Sequence, residues 1–480
     1  MKRNLRLTAA LFTLLMVFGA WSWSASASDF NLEGTWSGVL DLPGAELELF
    51  FHIITDAGAW QGFLDVPAQG GQGIPLTEIS IDGREIVLDV SLIAGTFVGE
   101  LKQNGAVIEG TWAQSGLKLP LVLEQAAEFE KLQPNRPQEP QPPYPYGEIE
   151  VSYPNKEAGI ELAGTLTVPE GDGPFPTALL ITGSGPQDRN EEIMGHKPFL
   201  VLADYLTRRG VAVLRVDDRG VGQSSGDFAA ATTLDFASDV LAGLEYLKTR
   251  GEVDAERIGL IGHSEGGLIA GMVAAENREL AFIVLMAGPG LTGEEVSLLQ
   301  TALILESMGV SEDNIRREQE LQKKLFAIAT LEENLERAEA KVRKTLDAFL
   351  ANLSEQELQA MGDVEVWNQA QIDQLLSPWF RFFLTYDPIL DLMQITCPVL
   401  AINGSKDLQV PARENLAAIE QALKLGGNEN FTILELPGLN HLFQTAETGS
   451  PDEYYYIEET IAPQALEAIG DWLAEVVGLE

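Results

Sequence analysis

The sequence predicts an α/β fold with a helical cap insertion, preceded by a small antiparallel β domain. Three observations predict this arrangement. Short β-type runs separated by turns extend to about residue 124, a stretch of six prolines follows, and buried-type strands then alternate with helices. The predicted segments are a signal peptide at 1–27, a β-sheet or barrel domain at 28–125, a proline-rich linker at 126–147, and an α/β domain at 148–480 with its cap at about 291–390.

The composition is that of a globular protein with a strongly acidic surface. The chain has 480 residues, 45% of them apolar, and its 31 basic and 72 acidic side chains give a net charge of −41. Because phosphate backbones bind clustered Lys and Arg, this charge argues strongly against a nucleic-acid partner, and it disfavours adsorption to anionic lipid. Cys397 is the only cysteine, which excludes an internal disulfide and a thiolate metal cluster, and its apolar neighbours predict a buried thiol.

The first 27 residues have the pattern of an export signal. A basic segment at residues 2–6 precedes an apolar run at 7–21, and Ala25-Ser26-Ala27 resembles a small-residue cleavage site. Cleavage there would remove three basic residues and no acid, which changes the net charge to −44. No cysteine follows the run, so lipoprotein processing is excluded, whereas an uncleaved anchor stays open as an alternative. The sequence therefore predicts a periplasmic or extracellular protein with no stable membrane partner.

The predicted β domain consists of short strands joined by tight turns. Asp82-Gly83 and Asn104-Gly105 are strong hairpin signals. The tripeptide at 34–36, Gly-Thr-Trp, recurs at 110–112, and this repeat suggests that the first and last strands lie side by side. A closed barrel would either be filled by its own side chains or hold an apolar ligand, and both alternatives stay open. The six prolines that follow, at 134, 137, 140, 142, 143 and 145, favour an extended linker.

Beyond the linker, the alternation of strands and helices predicts a largely parallel sheet with helices on both faces. The alternation is interrupted at 291–390, where no strand pattern occurs. Apolar residues at three- and four-residue spacing from Leu331 to Phe349 predict an amphipathic helix there, and the whole block is interpreted as a cap over one end of the sheet. The predicted strands are TALLIT (177–182), VAVLRV (211–216), RIGLIG (257–262), FIVLMAG (282–288) and PVLAING (398–404).

Two segments match the pattern G-x-S-x-G, and their surroundings distinguish them. The segment at 222–226, around Ser224, lies in a loop that no helix follows at the last glycine. The segment at 262–266, around Ser264, lies between the strand RIGLI and a helix. A nucleophile elbow requires this strand–turn–helix setting, because its tight turn lifts the serine hydroxyl above the sheet. Ser264 is therefore the predicted nucleophile and Ser224 an ordinary loop residue.

The four histidines allow the catalytic base to be assigned by elimination. His52 lies in the β domain, and His263 is adjacent to the serine, where the sharp turn would direct its side chain away. His196 precedes the serine, which contradicts the chain order of this architecture. His441, in a loop after the run FTILEL, is therefore the predicted base for Ser264.

An acid that orients this histidine is expected just after a strand. Asp407 follows the strand PVLAING in the sequence NGSKD. The resulting order Ser264, Asp407, His441 is that of α/β-hydrolases, and the sequence therefore predicts a Ser-His-Asp triad on an α/β-hydrolase fold.

Two backbone N–H groups should form the oxyanion hole. One is that of Glu265, immediately after the nucleophile, and the other is assigned to Ser184 in the glycine-rich loop after TALLIT. The Glu265 carboxylate would repel the developing negative charge unless it points away or is paired. Arg189 and Arg219, on loops after preceding strands, are its predicted partners, with substrate contact as the alternative.

The motifs resemble those of exported bacterial α/β-hydrolases of the EstD-like serine esterase family, from about residue 147 to the end. The resemblance implies carboxylic-ester hydrolysis by Ser264, His441 and Asp407, without metal or cofactor, and a fold with an N-terminal β domain and a helical cap. One departure is Thr182-Gly183, where many relatives have His-Gly in the oxyanion loop. The segments that carry the resemblance are TGSGPQDRN (182–190), DDRGVGQSSGDF (217–228), GHSEGG (262–267), NGSKD (403–407) and LNHLF (439–443).

These features predict a serine carboxylic-ester hydrolase that acts through an acyl-enzyme. The apolar cap favours small uncharged acyl esters, since the acidic surface repels anionic ones. Two alternatives remain open: a serine exopeptidase of the same superfamily, and a non-catalytic protein whose β domain binds a ligand. About 100 residues of N-terminal β structure are too few for the large propeller of the oligopeptidases.

Overall fold

A computed structural model describes residues 32–479, except for 43–44, 57–58, 67–70, 91–92, 94, 103–104, 115–116, 126–134, 354–357 and 359–363. The predicted signal peptide, Asn104 of the second hairpin signal and the first part of the predicted linker lie outside the described residues. The chain divides into two compact units: the described residues of the first lie in 32–125 and 348–370, and those of the second lie in 135–347 and 371–479. In the described ranges, no helix is both long and apolar enough to cross a membrane.

The first unit is an antiparallel sheet of nine strands in the order β4-β3-β2-β1-β9-β8-β7-β6-β5. Alternate side chains of β7 are buried, as expected for a sheet with one face on a core. The hairpin predicted at Asp82-Gly83 joins β5 to β6, and Gly83 takes the positive φ of 63° that this turn requires. The strands are β1 Gly34–Leu42, β2 Ala45–Asp56, β3 Ala59–Val66, β4 Gly71–Pro75, β5 Glu78–Asp82, β6 Glu85–Val90, β7 Gly95–Lys102, β8 Val107–Gln114 and β9 Leu117–Gln125.

The first and last strands of this sheet are neighbours, as the repeated tripeptide suggested. Trp36 of β1 pairs with Gln125 of β9. The second copy of the tripeptide, however, lies on β8 and not on the last strand. Trp36 and Trp112 are both buried in the core of this unit. The repeat therefore marks two core tryptophans, and it does not mark two paired strands.

The second unit contains an eight-stranded sheet in the order β10-β11-β13-β12-β14-β15-β16-β17. The β10–β11 and β11–β13 pairs are antiparallel, and every later pair is parallel. The predicted fold class, an α/β-hydrolase fold preceded by an antiparallel β domain, is confirmed. The strands are β10 Gly147–Asn155, β11 Ile160–Val168, β12 Phe175–Ile181, β13 Ala212–Val216, β14 Val253–His263, β15 Phe282–Met286, β16 Val399–Gly404 and β17 Phe431–Leu436.

Helices cover both faces of this sheet, since two separate apolar clusters lie against it. Every residue of β15 and β16 is buried, which explains their continuous apolar runs. The helices are α1 Pro198–Arg208, α2 Thr233–Leu247, α3 Glu265–Glu276, α4 Gly293–Ser307, α5 Glu312–Leu331, α6 Leu335–Leu350, α7 Val364–Leu375, α8 Pro378–Thr385, α9 Ile389–Leu392, α10 Ala412–Gly426 and α11 Pro463–Val477, with a 3₁₀ helix at Pro451–Tyr456.

The described part of the predicted cap, residues 291–390, is helical and contains no strand. The amphipathic helix predicted from Leu331 to Phe349 is present as α6, but it begins at Leu335. Leu331 is the last residue of α5 and is 82% exposed. The side chain of Asn334 accepts a hydrogen bond from the Arg337 N–H and thereby caps the new helix. The apolar spacing that predicted one helix therefore includes both the end of α5 and the start of α6.

The described end of the proline-rich segment is bound to the second unit through polar side chains. Arg136 donates to the carbonyl oxygens of Met194, Gly195 and Ile457, at 3.1, 3.2 and 2.6 Å. Gln138 accepts from the Thr460 N–H at 2.6 Å. Residues 135–147 therefore belong to the second unit in this structure, whereas the sequence predicted a spacer that ends at residue 147.

Candidate active site

Ser264 lies in a strained turn between β14 and α3. Its φ of 53° is unusual for a residue with a side chain and is typical of a nucleophile elbow. The turn requires glycine at both ends. A Cβ atom at Gly262 would lie 2.0 Å from the Gly266 oxygen, and one at Gly266 would lie 2.1 Å from the Ile181 oxygen. The Ser264 N–H donates to the Met286 oxygen at 2.8 Å, which ties the turn to the neighbouring strand.

Asp407 and His441 meet above the carboxyl ends of β16 and β17. His441 Nδ1 lies 2.7 Å from Asp407 Oδ2, and both side chains are buried. Asp407 Oδ1 accepts from the N–H groups of Gln409 and Val410, each at 2.8 Å, so the carboxylate is held from both sides. A carboxylate on Nδ1 places the proton there and leaves Nε2 with the lone pair that a general base needs.

The loop that carries His441 is ordered by a buried amide pair. Asn440 donates to the Gln444 side chain at 2.9 Å, and the Asn440 side-chain oxygen accepts from the N–H groups of Leu442 and Gln444. The ring of His441 lies 4.9 Å, centroid to centroid, from that of His263, the residue before the nucleophile. The structure therefore brings the predicted base to the elbow.

Within the described residues, no hydrogen bond joins the Ser264 hydroxyl to the His441 ring. Such bonds are often long or misaligned without substrate and shorten when it binds. Of the three predicted catalytic side chains, Asp407 and His441 are in direct contact, while Ser264 follows His263, whose ring faces that of His441.

Two acidic side chains order the oxyanion loop, residues 182–190. Asp218 accepts from the Thr182 hydroxyl at 2.7 Å and from the Gln187 N–H at 2.9 Å. Burial raises the pKa of Asp218 well above its ordinary value. The carboxyl group of Glu191 accepts from the Gly183 N–H at 2.7 Å. The carboxyl groups of Asp218 and Glu191 therefore order this loop, which has Thr182 where many relatives have His.

The oxyanion loop lies against the nucleophile. A Cβ atom at Gly183 would lie 3.3 Å from the Ser264 Cβ, so glycine permits this close approach. Because the Gly183 N–H is bound to Glu191, it does not face the site. In the described part of the chain, the N–H of Ser184 has no acceptor. Ser184 is thus left with a free donor beside the elbow, at the position where the sequence predicted the second oxyanion donor.

The partners predicted for Glu265 are wrong. Its Oε1 accepts from the Thr233 hydroxyl and from the Trp379 indole N–H, each at 2.7 Å. Thr233 begins α2 and Trp379 lies on α8 of the cap, so neither is near Glu265 in sequence. Burial raises the pKa of Glu265 above its ordinary value, although both hydrogen bonds oppose this.

The two arginines are engaged elsewhere. Arg189 binds Asp217 at 2.7 Å and also Glu150, and these contacts raise the pKa of the arginine. Arg219 binds Asp239 at 2.7 Å. Each of these two arginines therefore binds other carboxylates, and neither binds Glu265.

Ser224, the serine of the rejected motif, is buried in a loop. Its hydroxyl donates to the Asp217 oxygen at 2.7 Å and accepts from the Ala163 N–H at 2.9 Å. Both bonds join the loop to the neighbouring strand. Ser224 therefore has the structural role that the sequence assigned to it.

The remaining histidines and the cysteine are buried within the fold. His52 Nε2 lies 2.9 Å from Asp65 in the first unit. His196 Nε2 lies 2.9 Å from the Tyr454 oxygen, and burial lowers the pKa of His196 to about 4. Cys397 is buried as predicted, and burial raises the pKa of its thiol to about 11.

A cavity of about 530 Å³, counting its space open to solvent, adjoins Gly183 and Glu265. Its apolar wall includes Phe228 and Phe236, whose rings stack 5.0 Å apart. Its polar wall includes the carboxyl groups of Asp218 and Glu265. The cavity thus adjoins the residue after the nucleophile, and its wall combines aromatic rings with charged side chains, among them the Arg219 guanidinium.

The chain is similar to proteins with related sequences and folds. It is 26% identical over 316 residues to Esterase EstD of Thermotoga maritima. The matched region covers 65% of this chain and 66% of that protein, slightly less than two thirds of its length. The predicted resemblance to EstD-like esterases is thus confirmed.

Two solved structures are also similar. Ferulic acid-bound Est1E from Butyrivibrio proteoclasticus has 19% identity and a TM-score of 0.40, covering 68% of this chain and 99% of that one. The Pyrococcus furiosus esterase Pf2001 has 18% identity and a TM-score of 0.42, covering 72% and 97%.

The family assignment rests on a match to a family described from many sequences. Residues 158–433 match the family described as X-Pro dipeptidyl-peptidase (S15 family). This range contains the elbow, the cap and Asp407, and it ends shortly before His441. Because the match spans more than half of the chain, the protein belongs to the S15 family.

Proposed function

We propose that the protein is a serine hydrolase of carboxylic esters. The observation that carries the proposal is the buried Asp407–His441 hydrogen bond of 2.7 Å beside the strained Ser264 elbow. Ser264 attacks the ester carbonyl while His441 takes its proton, and His441 then returns the proton to the departing alcohol. Water, activated by the same histidine, then cleaves the acyl-enzyme and releases the acid. The N–H groups of Ser184 and Glu265 bind the oxyanion.

Small uncharged acyl esters are the proposed substrates. The similarity to Esterase EstD supports ester hydrolysis. The cavity has an apolar wall of stacked aromatic rings, and its polar wall carries carboxyl groups. With a net charge of −41 on the whole chain, an anionic ester would meet repulsion at the surface.

A fluorophosphonate probe and p-nitrophenyl butyrate test this proposal directly. We expect the wild-type protein to be labelled and to hydrolyse the ester, and Ser264→Ala to lose labelling and at least about 10⁴-fold of the rate. Ser224→Ala is the matched control: it removes a buried hydroxyl from the other G-x-S-x-G segment and should remain active. A wild-type protein that neither reacts with the probe nor cleaves the ester would refute the proposal, and labelling of Ser264→Ala would refute the choice of nucleophile.

Removal of dipeptides is the second candidate, because the matched family is described as X-Pro dipeptidyl-peptidase. Both reactions would use the same serine, so only the substrate distinguishes them. We expect p-nitrophenyl acetate and butyrate to be cleaved with a higher kcat/KM than Ala-Pro p-nitroanilide. Cleavage of the anilide without cleavage of the esters would establish the peptidase instead.

We also propose that the protein is exported to the periplasm or beyond the cell. The basic segment, the apolar run and the Ala-Ser-Ala site of the first 27 residues support export. Expression of the full chain in a bacterium, followed by fractionation and N-terminal sequencing, tests this. We expect a mature chain that begins at Ser28, and a cytoplasmic chain with its first residues intact would contradict the proposal.

A further inference from the structure

A buried acid–histidine pair, Glu191 and His263, lies next to the three predicted catalytic residues. Glu191 is fully buried and His263 nearly so. Glu191 follows the oxyanion loop and takes a φ of 53°, an unfavourable value for a residue with a long side chain. His263 is the last residue of β14 and precedes the nucleophile. The sequence prediction excluded His263 as a base, and Glu191 was not considered at all.

The hydrogen bonds of the pair determine where its protons lie. His263 Nε2 is 3.0 Å from the His441 carbonyl oxygen, which only accepts, so Nε2 carries a hydrogen. His263 Nδ1 is 2.9 Å from Glu191 Oε1, and this same oxygen accepts the Gly183 N–H at 2.7 Å. Because Glu191 Oε1 accepts the Gly183 N–H, it is more readily an unprotonated oxygen than a hydroxyl. The hydrogen between Oε1 and Nδ1 then belongs to His263 Nδ1. These bonds favour an imidazolium next to a carboxylate, whose other oxygen, Oε2, is buried and has no hydrogen-bond partner among the described residues.

The surroundings of the ring agree with this charge. Burial alone would lower the pKa of His263, but the Glu191 carboxylate and the ring's hydrogen bonds raise it above its ordinary value. The other groups that face the ring are His441, the edge of Phe443, and more distantly the Asp407 carboxylate. Two negative groups thus offset one cation in this buried region.

We propose that Glu191 and His263 are a charged positioning pair, which holds the oxyanion loop and the His441 loop on the two sides of Ser264. Glu191 binds the loop through Gly183, and His263 binds the backbone of His441, so one ion pair connects both loops to the elbow. By engaging the Gly183 N–H, Glu191 also leaves the next N–H, that of Ser184, for the oxyanion. The kinetic part of this inference rests on the proposed function.

Nitrogen NMR of the histidine rings tests the charge without any assay of activity. The full chain is labelled with ¹⁵N at its four histidines, and the His263 signals are assigned by elimination from His52→Gln, His196→Gln and His441→Gln. We expect both ring nitrogens of His263 to be protonated at pH 7, where a free histidine is mostly neutral. A neutral His263 ring in the folded wild-type protein at pH 7 would overturn the proposal.

Glu191→Gln tests the positioning role, because glutamine keeps the size and an acceptor oxygen but removes the charge. We expect the fluorophosphonate reaction and the kcat for p-nitrophenyl butyrate to fall about 10²-fold, as on loss of an oxyanion donor, with KM nearly unchanged. In the same variant burial should lower the pKa of the His263 ring below its ordinary value, so the ring should be neutral at pH 7. Glu192→Gln, at the exposed neighbouring position, is the matched control and should match the wild type in both measurements.

The outcomes separate this inference from the proposed function. A wild-type protein that cleaves no ester and reacts with no probe would refute the proposed function, while the NMR experiment would still decide the charge of the pair. A Glu191→Gln variant with the wild-type rate and a charged His263 would refute the pair. If that variant does not fold, Glu191→Asp, which keeps the charge but shortens the side chain, should retain the charged ring and lose rate.

Discussion

Glu265 shows how far a single residue can be understood from its position in the chain. Its place after Ser264 predicted that its backbone N–H is an oxyanion donor, and it left open which groups its carboxylate binds. The side chain turns away from that backbone N–H and binds Thr233 and Trp379. It lies 32 residues from the first and 114 from the second, and only packing of α2 and the cap brings these donors together.

The raised pKa of Glu265 predicts how stability depends on pH. Since its folded pKa lies above the unfolded value of about 4.5, the folded state binds more protons between these two values, and stability falls as pH rises through this window. Glutamine keeps the acceptor oxygen and does not ionise. We therefore expect Glu265→Gln to gain stability relative to the wild type as pH rises above about 4.5, and to keep that gain above the folded pKa.

Urea unfolding of both proteins at several pH values between about 4 and 8 measures this difference. Glu276→Gln is the matched control, because it makes the same change at the exposed end of the same helix, α3. A difference between Glu265→Gln and the wild type that stays constant over the whole range would contradict the prediction.

At the scale of elements, the strand–turn–helix around Ser264 was predictable because its requirements are local. A tight turn needs glycine wherever a Cβ atom would meet backbone, and Gly262 and Gly266 are such positions. The sequence displays this requirement directly, since both glycines lie within two residues of the serine. The structure adds the atoms that they would strike, which belong to the turn itself and to β12.

The space around Gly262 and Gly271 predicts opposite changes in stability when each is replaced by alanine. An alanine Cβ at Gly262 would lie 2.0 Å from a backbone oxygen, so Gly262→Ala should lose about 3 kcal/mol of stability or more. At Gly271, within α3, the nearest atom is 3.9 Å away, so Gly271→Ala should gain up to about 1 kcal/mol from helix propensity. Urea unfolding of both variants measures the effects, and equal losses would show that the elbow is not the constrained point.

The sequence pattern did not predict the boundary between α5 and α6, and the reason is physical. The apolar spacing continues across residues 331–335 without glycine or proline, so periodicity alone predicts one helix. The signal that was available is Asn334, whose side chain caps the Arg337 N–H. An asparagine within a helical pattern is thus worth testing as a helix start.

At the scale of the whole molecule, Arg136 connects distant parts of the second unit. Its guanidinium donates to three carbonyl oxygens, two near residue 195 and one at Ile457, which is 321 residues further along the chain. Composition predicted that the proline-rich segment is extended. It could not predict that the segment binds these loops, because carbonyl oxygens carry no sequence signature.

Arg136→Ala in the full chain should therefore destabilise the protein by about 2–4 kcal/mol, since three charge-assisted hydrogen bonds are lost. Arg316→Ala removes an arginine whose ion pair with Asp313 is mostly exposed, and it should change stability by less than about 1 kcal/mol. Chemical unfolding of both variants makes the comparison. Similar values for the two would mean that the three hydrogen bonds of Arg136 contribute no more to stability than an exposed ion pair.

The sequence by itself determined the fold class, and it predicted the nucleophile and the order of the triad. These follow from local patterns and from the scarcity of histidine, which left His441 as the single candidate for the base. The tertiary structure alone decided the partners of Glu265, the role of Glu191 and the attachment of residues 135–147. The physical reason is range: a turn or a strand depends on neighbouring residues, whereas a buried hydrogen bond depends on which atoms the folded chain places within about 3 Å of each other.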